Sequence, residues 1–76
     1  MKFNEAISIL KTVSDFHLKP SEKKPNFTIF QNLDGHYNVC AKTNLINKQY
    51  RDYLEEIARS RTLQIRESTG YLIIYG

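Results

Sequence analysis

Residues 62–75 read TLQIRESTGYLIIY, and the way this stretch pairs with itself sets the rest of the architecture. Thr69-Gly70 lies between two β-rich runs, where a two-residue hairpin turn needs positive φ and glycine supplies it without steric cost. Folding back on that turn places Leu63 and Ile65 on one face with Leu72 and Ile74, because side chains alternate along a strand. That aliphatic quartet reads as a core row. The other face then carries Gln64, Arg66, Tyr71, Ile73 and Tyr75. The last strand is apolar on both sides, as a central or covered strand would be.

The same order of residue types occurs upstream. Ile29–Val39 reads IFQNLDGHYNV, and Ile65–Ile73 reads IRESTGYLI. Each has an aliphatic residue, a polar run, a glycine, then a tyrosine leading into a β-branched strand. Asp34-Gly35 as a two-residue turn predicts a hairpin over 26–43 that pairs Phe30 with Val39 and Asn32 with Tyr37. That register groups Phe30, Tyr37, Val39 and Ala41 on one face and Phe27, Ile29 and Cys40 on the other. Both faces carry apolar groups, so the inward one stays undecided. The copies also differ by one position, since Ile29 precedes its glycine by six residues and Ile65 by five.

Helical periodicity precedes each hairpin. Phe3, Ala6, Ile7, Leu10 and Val13 recur at three- and four-residue spacing, which predicts a helix over 4–16. Asn4 is its expected N-cap, with Glu5 suited to the positive end of the helix dipole. Ile46, Tyr50, Tyr53, Leu54, Ile57 and Ala58 form a second stripe and predict a helix over 44–60. Its far side carries Lys48, Arg51, Asp52, Glu55, Glu56 and Arg59, which describes a solvated surface. Thr43, Asn44 and Asn47 are all suitable caps for its start. Residues 17–25 include Pro20 and Pro25 and have no apolar period, so they read as an exposed loop. Lys19, Lys23 and Lys24 make it the densest positive cluster in the chain.

These elements make one small α+β domain over 1–76. The predicted architecture is a two-layer sandwich of order helix-hairpin-helix-hairpin (αββαββ), with both helices on one face of a four-stranded, mainly antiparallel sheet. Moving the last strand to the front gives the β-α-β-β-α-β order of split β-α-β folds. Two layers leave one sheet face without a cover.

Composition narrows the classes of function. Cys40 is the single cysteine, so no disulfide staples the domain and a reducing compartment suits it. No apolar run approaches the ~20 residues of a membrane span. The opening Met1-Lys2-Phe3-Asn4-Glu5 lacks the basic segment and long apolar core of a signal peptide, so a cytoplasmic placement is expected. Eleven Lys and Arg against eight Asp and Glu give a net charge of +3, a modest attraction for anions.

No residue pattern carries catalytic chemistry. Ser14, Asp15 and His17 are adjacent in sequence but diverge around a helix end, and adjacency does not make a triad. His36 reads as a turn residue and Cys40 as a small strand hydrophobe. One cysteine and two distant histidines are no zinc set. Three scattered glycines cradle no phosphate. The expectation is a non-enzymatic protein with no cofactor, metal or small-molecule substrate. Its expected site is the open face bearing Gln64, Arg66, Tyr71, Ile73 and Tyr75, and its expected partner is a protein or a second copy of itself. The alternative is single-stranded nucleic acid, with bases stacked on Tyr71 and Tyr75 and phosphates held by Arg66, Lys19, Lys23 and Lys24.

Overall fold

The computed structural model of the chain describes residues 1–16 and 24–76. Its elements run α1 (Phe3–Ser14), β1 (Thr28–Gln31), β2 (Tyr37–Lys42), α2 (Lys48–Ser60), β3 (Gln64–Ser68) and β4 (Tyr71–Tyr75), with a 3-10 turn at Thr43–Leu45 before α2. The chain is therefore α+β in the expected αββαββ order. The four strands form one sheet in the order β1-β2-β4-β3, and every neighbouring pair is antiparallel. Strands β2 and β3 thus run parallel with β4 inserted between them, so β2-α2-β3 is a split β-α-β unit.

The C-terminal hairpin folds as its sequence predicts. Ser68 pairs with Tyr71, Arg66 with Ile73 and Gln64 with Tyr75. Thr69 (φ 50) and Gly70 (φ 82) both take positive φ, the backbone of a type I′ turn whose twist matches that of the strands. Leu72 and Ile74 are buried, with Leu63 and Ile65 packed against the same core. Thr43 ties the turn down: its N–H and its hydroxyl both donate to the Gly70 carbonyl, at 2.9 and 3.0 Å.

The N-terminal hairpin differs from expectation by one residue. Phe30 faces Asn38 and Ile29 faces Val39, where the two-residue turn paired Phe30 with Val39 and Asn32 with Tyr37. The cause is the loop. Gly35 N–H donates to Asn32 O at 3.0 Å and Asn32 N–H to His36 O at 2.8 Å, so Leu33-Asp34-Gly35 is a three-residue loop. Gly35 alone takes positive φ (89°), as in a type I turn closed by a G1 bulge. The Asp34 carboxylate accepts from His36 N–H at 3.0 Å and fixes the bend. A one-residue slip moves a strand's whole set of side chains to the other face. Phe27 and Ile29 therefore join Tyr37, Val39 and Ala41 on the inner side, and Phe30 moves to the outer side.

Both helices close the inner side over one core. Ala6, Ile9 and Val13 of α1 and Tyr50, Leu54 and Ile57 of α2 join Phe27, Val39, Ala41, Leu72 and Ile74 in it. Helix α1 lies against β1 and β2, and α2 against β3. The start of α1 differs from expectation, because Lys2 and not Asn4 occupies the cap position and offers no side-chain bond. Its buried stripe runs through Ile9 in place of Ile7, leaving Phe3 half-exposed with its ring 5.1 Å from Tyr37, edge-on. Both stripes share the three-four spacing, so periodicity alone does not separate them.

Helix α2 begins four residues later than 44, because the Thr43–Leu45 turn takes up the start and Asn47 becomes the cap. The Asn47 side chain accepts from Tyr50 N–H at 2.8 Å, the bond that makes asparagine a favoured cap. At the other end, Leu63 N–H donates to Ala58 O at 2.7 Å and Thr62 N–H to Arg59 O at 3.3 Å. This is a Schellman closure with Thr62, at φ 57, where glycine is usual.

Two tyrosines join the helices. The Tyr50 hydroxyl donates to Val13 O at 2.5 Å and the Tyr53 hydroxyl to Thr12 O at 2.9 Å. Both carbonyls lie in the last turn of α1, where helical partners run out, and Thr12 O also accepts from Asp15 N–H at 3.2 Å. The Phe16 ring stacks on both tyrosines, at 4.6 and 4.9 Å. Burial of Tyr50, helped by neighbouring Tyr53, pushes its hydroxyl up to about 12 from an ordinary 10.0, since a buried phenolate loses its hydration.

Candidate functional site

The outer side of the sheet is covered by no helix among the described residues, and the strand registers lay it out. One row crosses it as Thr28, Cys40, Ile73 and Arg66, and a second as Lys42, Tyr71 and Ser68. Beyond Ile73, Phe30 faces Asn38 on β1–β2 and Gln64 faces Tyr75 on β3–β4. The five residues expected on this face, Gln64, Arg66, Tyr71, Ile73 and Tyr75, all lie on it. The structure adds Phe30, Asn38, Cys40 and Lys42. The two-residue reading of the first turn sets β1 one position out of register, which groups Phe30 with Val39 and leaves the inward face of β2 undecided. The signal that finds them is Leu33 acting as a loop residue ahead of Asp34-Gly35.

Ile73 is the centre of the face. It is only 8% exposed although it lies outside the helix-covered core, so its neighbours on the face itself enclose it. With Phe30, Cys40, Tyr71, Ser68 and Thr69 it lines an open groove of about 210 Å³. The aromatic walls are accessible, with Phe30 38% and Tyr71 40% exposed. Cys40 is half-buried, its Sγ 3.5 Å from Thr28 Oγ1.

Tyr75 is engaged within the protein. The Arg66 guanidinium lies 5.4 Å from its ring centre, a cation–π arrangement, and its hydroxyl donates to Gln64 Oε1 at 3.0 Å. At that end a polar cavity of about 300 Å³ is lined by Asn32, Asn38, Arg66 and Tyr75 among others. Its amides are also paired, Asn38 Nδ2 donating to Asn32 Oδ1 at 3.1 Å. The accessible, uncommitted groups are therefore the Phe30–Ile73–Tyr71 groove and Lys42.

The charged strand residues of this face are both cationic, while Asp34 of the first loop shares the polar cavity with Arg66. Lys42 sits directly across from Tyr71, and Arg66 directly across from Ile73. None of the outward-facing strand residues is acidic. Glu67, one step along β3 from Arg66, points the other way and meets Arg51 of α2, which also holds Glu55 at 3.1 Å. Of the expected basic loop, Lys19 and Lys23 lie outside the described residues, and Lys24 is exposed ahead of β1. Among the described residues, no three His, Cys, Asp or Glu side chains gather as a metal site would require, and no helix is long and apolar enough to cross a membrane.

Fold and face together define a class: a two-layer α+β domain of split β-α-β topology with an apolar, cation-bordered groove on its bare sheet. Comparison with protein-family models, curated proteins and solved structures finds no match for the chain.

Proposed function

We propose that the chain is a small non-enzymatic binding module that takes a protein partner on the open face of its sheet. The observation that carries this reading is Ile73. An isoleucine at the middle of a helix-free face, walled by two accessible aromatic rings, is the centre of a protein interface: apolar, aromatic-rich and poor in charge, with polar groups around it. The free thiol of Cys40 on the same face suits a reducing compartment, and the cytoplasm belongs to the same proposal. The test is a pairwise titration of purified candidate partners against the native chain and against Phe30→Ser with Tyr71→Ser. A partner of this face loses about tenfold or more in affinity, while the variant keeps its helical circular dichroism. Unchanged affinity for every partner refutes the reading.

A second reading rests on Lys42 and Arg66 beside those rings. Aromatic side chains with nearby cations hold single-stranded nucleic acid by stacking and phosphate contact. An oligonucleotide titration at two salt concentrations decides it. Binding that weakens with a log–log slope near ~0.7 per phosphate contacted supports nucleic acid, and no binding at ~50 mM salt removes it.

A further inference from the structure

Resting on the protein-binding reading, we infer that the occupant of the open face is a short acidic segment that seats one aliphatic side chain in the groove between Phe30 and Tyr71. Size, charge and engagement of the aromatic groups each support this choice.

Size argues for a segment over a globular surface. Four strands about 4.8 Å apart, with roughly five residues each at ~3.3 Å, give a face of roughly 300 Å² in projection. Each partner in a stable dimer buries about 800 Å² of accessible surface, so a face of this projection, even counting the relief of its side chains, is small for holding a second copy by itself. The groove matches one side chain. An apolar cavity of ~150 Å³ holds a benzene molecule, and the about 210 Å³ between Phe30, Ile73 and Tyr71 accommodates one branched aliphatic group.

Charge selects the flanks of that side chain. Lys42 and Arg66 border the groove, and no outward-facing strand residue is acidic. A second copy laid face to face sets these cations against their own counterparts, which opposes association. A segment carrying carboxylates on both sides of its anchor meets them with opposite charge.

The aromatic groups favour an anchor over stacked bases. Arg66 is stacked on Tyr75 and the Tyr75 hydroxyl is bonded to Gln64, so one aromatic platform is occupied. The remaining two rings are walls of a groove with an aliphatic floor.

The experiment is an amide-resolved NMR titration of the full chain. The probes are a short blocked peptide of glutamates around a central leucine, its alanine-centred and lysine-flanked counterparts, and a deoxythymidine oligonucleotide. The expected result is that the leucine-centred acidic peptide shifts amides of Cys40, Lys42, Arg66 and Ile73. The alanine-centred peptide should bind about tenfold more weakly, from the lost apolar burial. Lys42→Glu with Arg66→Glu should abolish the shifts, and Lys42→Gln with Arg66→Gln serves if charge reversal unfolds the chain. Equal binding of the leucine- and alanine-centred peptides overturns the inference, as does tighter binding of the lysine-flanked one. Shifts at this face on raising the protein concentration alone overturn the acidic segment but keep a protein interface. Shifts with the oligonucleotide alone overturn both the segment and the protein reading, and a face unmoved by every probe overturns the segment.

Discussion

Ile73 and Ile74 are adjacent in β4 and point to opposite sides of the sheet, so one substitution made at both positions reports on the two faces. Ile74 is fully buried in the core that both helices close, paired with Val39 and Ile65. Ile73 is 8% exposed under the rings of the open groove. Threonine keeps the β-branch that strands favour and puts a hydroxyl where isoleucine has an ethyl group. At 74 that hydroxyl enters a sealed apolar core, where an unpaired polar group costs about 1–3 kcal/mol and the lost burial of two carbons about 1.5 more. At 73 the hydroxyl reaches water through the groove and only the lost carbon burial remains. We expect Ile74→Thr to cost about 3.5 kcal/mol and Ile73→Thr about 1.5. For a domain of this size that is roughly 14–28 °C against 6–12 °C in Tm. Urea and thermal melts followed by circular dichroism measure both. A loss at 73 equal to that at 74 would mean that the outer face is sealed as tightly as the core, contrary to an open groove.

Three further outcomes are expected. Tyr50 is held protonated by burial, its hydroxyl raised to about 12 against an ordinary 10.0. Its contribution is therefore fully present below pH 10 and is lost as the pH rises from 10 through 12, by roughly 2–3 kcal/mol. Urea melts across that range should show the decline, and Tyr50→Phe should flatten it while losing about 1–2 kcal/mol at neutral pH from the missing bond to Val13. Thr62 and Thr69 hold positive φ, which β-branched residues adopt at a cost of about 1–2 kcal/mol, so Thr62→Gly and Thr69→Asn should each raise stability by about 1 kcal/mol. Lower stability in either contradicts the backbone assignment there. Asn47→Ala should cost about 1 kcal/mol through loss of the α2 cap, measured in the same melts; no loss means the bond to Tyr50 N–H contributes nothing.

The parts of the fold legible in sequence are those where one local rule acts without competition. Thr69-Gly70 admits a single turn, and its register sorts Leu72 and Ile74 inward and Tyr71 and Ile73 outward. Asp34-Gly35 admits two turns. The two-residue form needs positive φ at Asp34, whereas the observed loop takes in Leu33 and asks it of Gly35 alone. With apolar residues on both sides of β1, no burial signal corrects the one-residue difference. That ambiguity conceals Phe30 and Cys40, two of the six residues that line the groove. The start of α2 was obscured in a similar way, since Thr43, Asn44 and Asn47 all cap equally well in isolation. Only tertiary bonding separates them: Thr43 is spent on Gly70, leaving Asn47 for the helix. The Tyr50 and Tyr53 hydroxyl bonds to α1 have no sequence signature, because their partners are backbone carbonyls 37 and 41 residues away.

Cys40 offers the most direct test of an open, occupied sheet face, since the chain's single thiol sits in the groove beside Ile73. The measurement is its rate of reaction with a soluble disulfide reagent in the native state, across protein concentrations and with saturating acidic, leucine-centred peptide. We expect reaction without unfolding, at a rate independent of protein concentration and slowed at least tenfold by the peptide. A thiol that reacts only at the rate of global unfolding, or one equally reactive with the peptide bound, would contradict the account.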